Sequence, residues 1–351
     1  MSKKIKVNPA GILQIAKKLG ISTATVSRAL RGETSHLVKA GRRREIIELA
    51  DSMLFRPNPG ARFIRKGYNP TIGVVIPCHD DLFFSEFYGL FLSGILQAVD
   101  ESDWEIKLTL LSSKPEIPFI DKLRHIGMNC TGLVFCGKSL TMNQLEELHK
   151  YKRPLVILKS SLPPQVPVSE VNCHVVGLDN MEAAATAARF AIQLGHRRIG
   201  LVLGPQTSRD FQERYEGFNR YFTGQGISVP DEYVHFGFHD QHAGREAAKK
   251  LLALPNPPTA LLCSSDAQAF GVLDYAKGIN IKCPEQLSVT GFDDGPWAMC
   301  SSPKLTTMKQ PLREMAEKAV TLLQQSVSGQ NHRNSMDFQA SLIIRESTTP
   351  C

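Results

Sequence analysis

Short apolar strands alternate with longer helical segments over most of the chain. Of all features of the sequence, this alternation restricts the possible folds most. It begins at Thr71 and continues to about Gly329. Strands separated by helices pair in parallel, because a parallel connection needs a crossover of a dozen or more residues. About 280 residues of this pattern exceed one sheet, so we expect two α/β subdomains. Ligands of such folds bind at the carboxyl ends of the strands or in a cleft between subdomains.

The N-terminal segment has a purely helical pattern. The apolar residues of its first helix share one face and are Ile12, Ile15, Ala16 and Leu19. Gly20 is typical of a residue that ends a helix, and Ser22 can cap the helix that follows. That second helix has an apolar side around Val26 and a small, basic side with Ala24 and Arg28. The pattern favours either a helix that enters the DNA major groove or an ordinary two-helix surface corner.

Positive charge is concentrated in this N-terminal segment. The whole chain has 41 Lys and Arg against 34 Asp and Glu, a formal charge of +7. Residues 1–70 hold 15 basic and 4 acidic residues, whereas residues 71–351 hold 26 basic and 30 acidic residues. We therefore expect the N-terminal segment to bind a polyanion and the rest of the chain to bind a different partner.

Two further basic features follow the second helix. Arg42, Arg43 and Arg44 open a third helix, where positive charge opposes the helix dipole unless a phosphate lies nearby. A solvated run of charge is the alternative. The segment 55–67, with Asn58 as a possible cap, predicts a short, weak and basic helix. Such a helix is expected to be disordered alone and ordered by a partner, the alternative being a flexible linker.

Composition and motifs argue against several other classes of protein. No run of about 18 apolar residues occurs and no secretory signal opens the chain, so we expect a cytoplasmic protein without a membrane span. The eight cysteines form no C-x-x-C pair, and His239 and His242 lack further ligands, so we expect reduced thiols, no metal and no cofactor. The chain has no G-x-S-x-G, P-loop or G-x-G-x-x-G motif, which indicates that it is not an enzyme.

Short motifs are spread over nearly the whole chain. They are residues 20–28 (G-I-S-T-A-T-V-S-R), 55–58 (F-R-P-N), 61–64 (A-R-F-I), 178–180 (L-D-N), 194–199 (L-G-H-R-R-I), 214–218 (R-x-x-G-F), 264–266 (S-S-D), 291–294 (G-F-D-D) and 303–307 (P-K-L-T-T). In this order they resemble the motifs of the LacI/GalR family of transcriptional regulators. The resemblance implies a small all-α helix-turn-helix headpiece joined to an α/β sensor of two subdomains, like periplasmic binding proteins of type I.

The resemblance also implies a division of the chain. The expected segments are a headpiece over residues 1–57, a hinge helix or linker over 58–70, and an effector-binding domain over 71–351. Within the last, the N-subdomain is expected at about 71–176 and 306–333, and the C-subdomain at about 177–305 and 334–351. A homodimer of such a chain would bind a pseudo-palindromic double-stranded DNA operator.

The family's DNA-contacting positions are carried over residue by residue. The base-reading positions are Thr23, Ala24 and Arg28, of which Arg28 suits a guanine edge and Ala24 a thymine methyl group. The phosphate-contacting positions are Ser22, Thr25, Ser27 and Arg31. The minor-groove hinge positions are Asn58, Ala61, Arg62 and Ile64, where Ile64 replaces a leucine that wedges between base pairs.

The effector positions are carried over in the same way. Arg214 and Asp293 correspond to residues that hold sugar hydroxyls, with an internal Arg–Asp pair as the alternative. Phe83 and Phe84 are candidates for stacking on an effector ring or for the core. The further candidates are Ser265, Asp266, Asp210 and His239.

Lys159 is the most informative departure from the family, which often has Asp at this position. An ammonium in place of a carboxylate predicts an anionic effector, such as a sugar acid or sugar phosphate, that Lys159 and Arg214 would bind. The alternative is that Lys159 turns to solvent or pairs with Asp179 or Asp293.

These observations predict a sequence-specific DNA-binding regulator of repressor type. Its operator affinity would be controlled by a small-molecule effector, a sugar or sugar acid, in the cleft between the subdomains. A solute-binding protein without a transcriptional role is the alternative that shares residues 71–351.

Overall fold

The computed structural model describes residues 11–30, 35–55, 70–77, 86–100, 104–111, 118–128, 130–137, 140–150, 153–330 and 335–351. The chain divides into two compact units, residues 1–68 and 69–351. The helices are α1 (Ile12–Leu19), α2 (Thr23–Ala29), α3 (Ala40–Ser52), α4 (Glu86–Asp100), α5 (Phe119–Gly127), α6 (Met142–His149), α7 (Asn180–Gln193), α8 (Arg209–Gly224), α9 (Gln241–Leu251), α10 (Asp266–Gly278) and α11 (Leu312–Val327). The strands are β1 (Thr71–Pro77), β2 (Glu105–Leu111), β3 (Gly132–Phe135), β4 (Leu155–Leu158), β5 (His174–Leu178), β6 (Ile199–Leu203), β7 (Val234–Phe236), β8 (Ala260–Cys263), β9 (Ser288–Asp293), β10 (Thr306–Lys309), β11 (Ser335–Phe338) and β12 (Ser341–Ile343).

The headpiece is a three-helix unit made by α1, α2 and α3. Helix α1 ends at Gly20, whose φ of 63° lies in the left-handed region that glycine adopts without strain. Helix α2 begins after Ser22, whose side chain accepts a hydrogen bond from the backbone N–H of Thr25 at 3.1 Å. The centre of the unit is apolar, with Val26 and Ile46 among its fully buried side chains. Both the turn and the cap agree with the sequence pattern.

The first sheet of the sensor has the strand order β11-β5-β4-β3-β1-β2, and all neighbouring strands are parallel. Successive strand residues point to opposite faces. Ile72, Val74 and Ile76 accordingly pack in one apolar cluster with α4 and α11. Val75 packs on the other face, in a cluster with α5 and α6. Burial on both faces explains why these strands are continuous apolar runs.

The second sheet has the strand order β12-β10-β9-β8-β6-β7, in which only β12 is antiparallel to its neighbour among the described strands. One face packs against α7 and α8, and the other face packs against α9 and α10. The sensor therefore consists of two sheets with helices on both faces, which agrees with the expected α/β architecture.

The chain passes between the two subdomains at three places, and all three lie later than we expected. Strand β5 stays in the first sheet up to Leu178, so the crossing expected at about residues 176–177 occurs after Leu178. Strand β10 lies in the second sheet beside β9, so the expected crossing at residues 305–306 occurs after Lys309. Strand β11 pairs with β5 in the first sheet, so the expected crossing at residues 333–334 occurs after Phe338. Most side chains of β11 are exposed, and a strand held by backbone pairing rather than by apolar burial has little signal in the sequence.

Three further observations concern the described part of the chain. None of its helices combines the length and apolar character that crossing a bilayer requires. Its cysteines are free thiols. It contains no group of three or more His, Cys, Asp or Glu side chains arranged to hold a metal ion.

Helices α9 and α10 make a close contact at two glycines. A Cβ on Gly271 would lie 2.0 Å from the backbone oxygen of Gln241, and a Cβ on Gly244 would lie 2.0 Å from that of Gln268. We expect Gly271→Ala to lower the free energy of unfolding by about 1–3 kcal/mol, because the two backbones must separate. Urea unfolding of the full chain measures this loss.

Gly278→Ala in the same helix is the matched control. A Cβ at Gly278 meets nothing within 4 Å, so the substitution should be neutral or stabilising by about 0.5–1 kcal/mol. Equal stability of the two variants would contradict the close contact.

Candidate functional site

The predicted base-reading face of α2 is exposed. Thr23, Ala24 and Arg28 are exposed, whereas Val26 and Ala29 are 0% and 1% exposed. The helix therefore turns its apolar residues inward and presents a small and basic surface to solvent. Side chains on such a surface can approach base edges in a major groove, because the short residues let the helix come close.

Three of the predicted phosphate-contacting residues belong to the same helix: Ser22 is its N-cap, and Thr25 and Ser27 lie within it. The hydroxyl groups of Ser22 and Thr25 are 2.9 Å apart and share a hydrogen bond. Ser27 is partly exposed. Arg31 and the hinge residues Asn58, Ala61, Arg62 and Ile64 lie outside the described residues.

The arginines at the start of α3 also hold the headpiece together. Arg42 pairs with Glu45 at 2.6 Å, and its guanidinium donates to the carbonyl of Leu19 at 3.5 Å. The Nε of Arg43 donates to the carbonyl of Ala29, at the end of α2, at 3.4 Å. These two side chains therefore join α3 to the helix-turn-helix. The sequence had suggested only two roles for these arginines, binding a phosphate or forming a solvated run of charge, and this structural role is a third.

In the sensor, the side chains of Glu86, Lys159 and Arg209 make contacts between the two subdomains near the carboxyl ends of the strands. Glu86, at the start of α4, accepts a hydrogen bond from the backbone N–H of Trp297 at 3.0 Å. Lys159, directly after β4, lies 3.1 Å from Glu213 of α8. Arg209 of α8 donates to the carbonyl of Pro163 at 2.7 Å. A cleft at the facing strand ends is where ligands of such folds bind.

Arg214 is the buried centre of the second wall of this cleft. Its Nε donates to the side-chain oxygen of Asn180 at 2.9 Å, and its Nη1 donates to the carbonyl of Ser264 at 2.5 Å. The guanidinium carbon lies 3.6 Å from the centre of the Phe292 ring. The ring centre of Phe211 lies 5.2 Å from the same carbon. Two hydrogen bonds and two aromatic rings therefore hold this cation in position.

Two partly exposed carboxylates lie near Arg214. Asp293 accepts a hydrogen bond from the side chain of Gln310 at 2.6 Å, and its φ of 139° is unusual for a non-glycine residue. Asp210 accepts a hydrogen bond from the side chain of Asn180 at 3.1 Å. Withdrawal from bulk water raises the pKa of both carboxyl groups, against the opposing charge of Arg214.

Two other candidate positions, Asp266 and Ser265, are buried. Asp266 is fully buried and accepts hydrogen bonds from Thr307 at 2.5 Å and from the backbone N–H of Gly295 at 3.1 Å. Burial and the charge of Asp293 raise its pKa. Ser265 caps α10 and donates to the carbonyl of His239 at 3.2 Å.

Of the remaining candidates for contact with an effector, the structure describes His239 but not the two phenylalanines. The exposed ring of His239 stacks on Phe211 with 5.5 Å between ring centres. Phe83 and Phe84 lie outside the described residues.

Lys159 is paired, but not with the residues we considered. Its ammonium lies 2.9 Å from Asp337 and 3.1 Å from Glu213, rather than against Asp179 or Asp293. Burial lowers the pKa of Lys159, but the hydrogen bonds and charges of Asp337 and Glu213 outweigh this effect and raise it. Because two carboxylates already neutralise the ammonium, it is not available to an anionic ligand in this conformation.

Sequence reasoning missed several residues of the site. Among them are Glu213, Asp337 and Arg209, which contact Lys159 or the first subdomain, and also Asn180, Gln310 and Glu86. Asn180 joins Arg214 to Asp210 through its amide group, and its place in the 178–180 motif could have identified it. Gln310 and Glu86 have no comparable signal, because their partners Asp293 and Trp297 are distant in the chain.

A basic helix-turn-helix and two parallel-sheet subdomains with a polar cleft define the class of ligand-sensing DNA-binding regulators. A periplasmic binding protein-like domain family matches residues 188–348. The chain is 31% identical to the HTH-type transcriptional repressor CytR of Escherichia coli (strain K12), over 99% of both chains. It is 26% identical to the probable HTH-type transcriptional repressor ExuR of Bacillus subtilis (strain 168), over 96% of this chain and 99% of that one.

Solved structures agree in fold. The Lac repressor dimer bound to operator and the anti-inducer ONPF matches with a TM-score of 0.82 at 21% identity, over 97% of this chain and 100% of that one. The transcriptional regulator CelR in complex with cellobiose matches with a TM-score of 0.72 at 23% identity, over 96% of this chain and 99% of that one. The chain belongs to the LacI/GalR family of transcriptional regulators.

The carboxyl group of Asp293 predicts a change in stability with pH. Its pKa is raised in the folded chain, so its contribution to stability is complete below the unfolded pKa of about 4 and is lost as the pH rises through the folded pKa. The raised pKa of Asp293 is about 6, so we expect Asp293→Asn to gain stability relative to the wild type between about pH 4 and 6, by at most about 1.4 kcal/mol per pH unit, and the difference to level off at higher pH. Urea unfolding at several pH values measures this difference, and a difference independent of pH would contradict the prediction.

Proposed function

We propose that this chain is a sequence-specific DNA-binding repressor whose operator affinity is controlled by a small-molecule effector. The observation that carries this proposal is the exposed face of Thr23, Ala24 and Arg28 on the basic headpiece. The full-length similarity to a transcriptional repressor supports it. Arg28 would bind a guanine edge and Ala24 a thymine methyl group, whereas Ser22, Thr25, Ser27 and Arg31 would bind phosphates.

We extend this proposal to the division of the chain and to its assembly. A headpiece over residues 1–57 and a hinge over 58–70 would precede the sensor over 71–351. In the hinge, Asn58, Ala61, Arg62 and Ile64 would contact the minor groove, with Ile64 as the wedge. A homodimer would present two headpieces to a pseudo-palindromic operator, as the Lac repressor dimer is bound to its operator.

The charges of the cleft favour a neutral effector with many hydroxyl groups, such as a sugar. Asp293 and Asp210 are partly exposed acceptors, and Arg214 is held between them. Asp266 and Ser265 would support this wall, and His239, Phe83 and Phe84 would contact the ligand ring. A ligand that bridges the subdomains shifts the equilibrium between DNA-binding and non-binding states only by its differential affinity for them.

The alternatives have less support. A solute-binding protein would share the sensor fold, but that function does not require a basic headpiece. The relatives that match over the full length are named as transcriptional repressors. No catalytic set occurs among the described residues of the cleft, and Asp293 and Asp294 are explained by contacts with Gln310 and Arg345. We therefore propose a non-enzymatic regulator that acts on cytoplasmic DNA.

Selection of duplexes from a random DNA library, followed by electrophoretic shifts, tests the function. We expect the full chain to select a pseudo-palindromic sequence and to bind it with an affinity that falls steeply with salt concentration. Arg28→Ala should weaken binding by about 1–3 kcal/mol and relax the base preference at one position of each half-site.

Lys18→Ala is the control for loss of one positive charge from the same unit, since Lys18 is an exposed residue of α1. It should leave the preferred sequence unchanged. A uniform loss over all sequences in the Arg28 variant would make Arg28 a phosphate contact, and failure of the wild type to select any duplex would overturn the proposed function.

Calorimetry of the full chain tests the effector class. Neutral sugars should bind more tightly than gluconate or uronic acids of similar size, because Lys159 is neutralised and the partly exposed groups of the wall include two carboxylates. Asp293→Asn should weaken the binding of a neutral sugar by about tenfold, the cost of one hydrogen bond to a charged acceptor. Tighter binding of the acids would contradict the neutral effector.

A further inference from the structure

Lys159 lies where the chain passes between the two subdomains. It follows β4 of the first sheet, and its ammonium lies 3.4 Å from the carbonyl of Leu178 and 2.9 Å from the carboxylate of Asp337. Leu178 ends β5 and Asp337 lies in β11, the strands that precede two of the three crossings. One buried side chain therefore contacts both of these connecting strands.

The first subdomain is built to hold this side chain. Gly177 of β5 is paired with Asp337 of β11 in the sheet register. A Cβ on Gly177 would lie 2.6 Å from the Cβ and Cδ of Lys159 and 2.6 Å from the carboxylate of Asp337. The absence of a side chain at position 177 makes the space that the aliphatic part of Lys159 occupies.

Helix α8 supplies the partners from the second subdomain. The two carboxylate oxygens of Glu213 lie 3.1 Å from Lys159 and 3.4 Å from Arg209. The Nη2 of Arg209 also donates to the carbonyl groups of Pro163 and Pro164, at 2.7 and 3.0 Å, and to that of Val166. All three charged side chains are at most 15% exposed, so water screens their attraction far less than at a surface.

The same helix carries two of the proposed effector residues on a neighbouring face. Residues four apart share a face of a helix, and adjacent residues differ by about 100°. Arg209 and Glu213 therefore turn towards the first subdomain, whereas Asp210 and Arg214 turn towards Asn180 and Ser264. A movement of α8 that shifts the contacts of Arg209 and Glu213 must therefore also shift those of Asp210 and Arg214.

We propose that Lys159, Glu213 and Arg209 form an ion clamp that holds the two subdomains in one relative orientation. In this clamp, Lys159 and Glu213 are positioning residues that act on the operator through the orientation of the subdomains. This inference rests on the proposed function for its link to DNA, whereas the clamp itself is a property of the sensor. It also explains why a lysine replaces the family's usual carboxylate at this wall: its charge serves an internal contact.

Distance measurements across the cleft test the clamp. Spin labels attached to a non-natural ketone amino acid at Glu146 of α6 and Lys277 of α10, both exposed, report the separation of the subdomains in the full chain without DNA or effector. Mixing with an excess of unlabelled chain leaves at most one labelled protomer in most dimers, so the measured distances are those within one chain. We expect Lys159→Met and Glu213→Gln each to broaden the distance distribution and to add a population at a shifted distance.

Gly177→Ala provides an independent variant, because it displaces the Lys159 side chain without removing any charge. It should broaden the distribution in the same way. Lys304→Met is the matched control, since it makes the same substitution at an exposed Lys–Glu pair within the second subdomain, and it should leave the distribution unchanged.

The clamp is overturned if the variants that fold, as judged by circular dichroism, keep the distribution of the wild type. It is also overturned if Lys304→Met broadens the distribution as much as Lys159→Met does. Neither outcome depends on DNA binding, so a failure of the clamp is distinguishable from a failure of the proposed function.

Discussion

The burial of Arg214 is the interaction on which the cleft of the sensor depends. Its guanidinium is held by Asn180, the carbonyl of Ser264 and the ring of Phe292. Its charge opposes the rise in pKa that withdrawal from water causes in Asp293 and Asp210. Without this cation Asp293 and Asp210 would lose their largest opposing charge, and a carboxylate without an opposing charge is costly away from bulk water.

Helix α8 connects this interaction with the relative orientation of the two subdomains. Because the helical repeat places residues 210 and 214 beside residues 209 and 213, one rigid element carries both the ligand wall and the contacts to the first subdomain. Coupling between a ligand and a distant DNA-binding unit requires an element with contacts that differ between two states.

Local spacing was enough to predict the headpiece and most of the sensor. The turn at Gly20, the cap at Ser22 and the inward position of Val26 follow from contacts within a few residues. The continuous apolar strands of both sheets follow from burial on two faces. Strands β10, β11 and β12 were not predicted, because pairing with distant strands rather than an apolar pattern defines them.

The sequence by itself determined the basic helix-turn-helix, the two parallel-sheet subdomains and the types of polar residue at their strand ends. Only the tertiary structure decided what those polar residues do, because a charge is satisfied by its neighbours in space. From the sequence, Lys159 is predicted to bind an anionic effector. In the structure its ammonium is paired with Glu213 and with Asp337, which is 178 residues away in the chain. Folding brings these carboxylates to the lysine, and because the ammonium is buried, water screens their attraction less than it would at a surface.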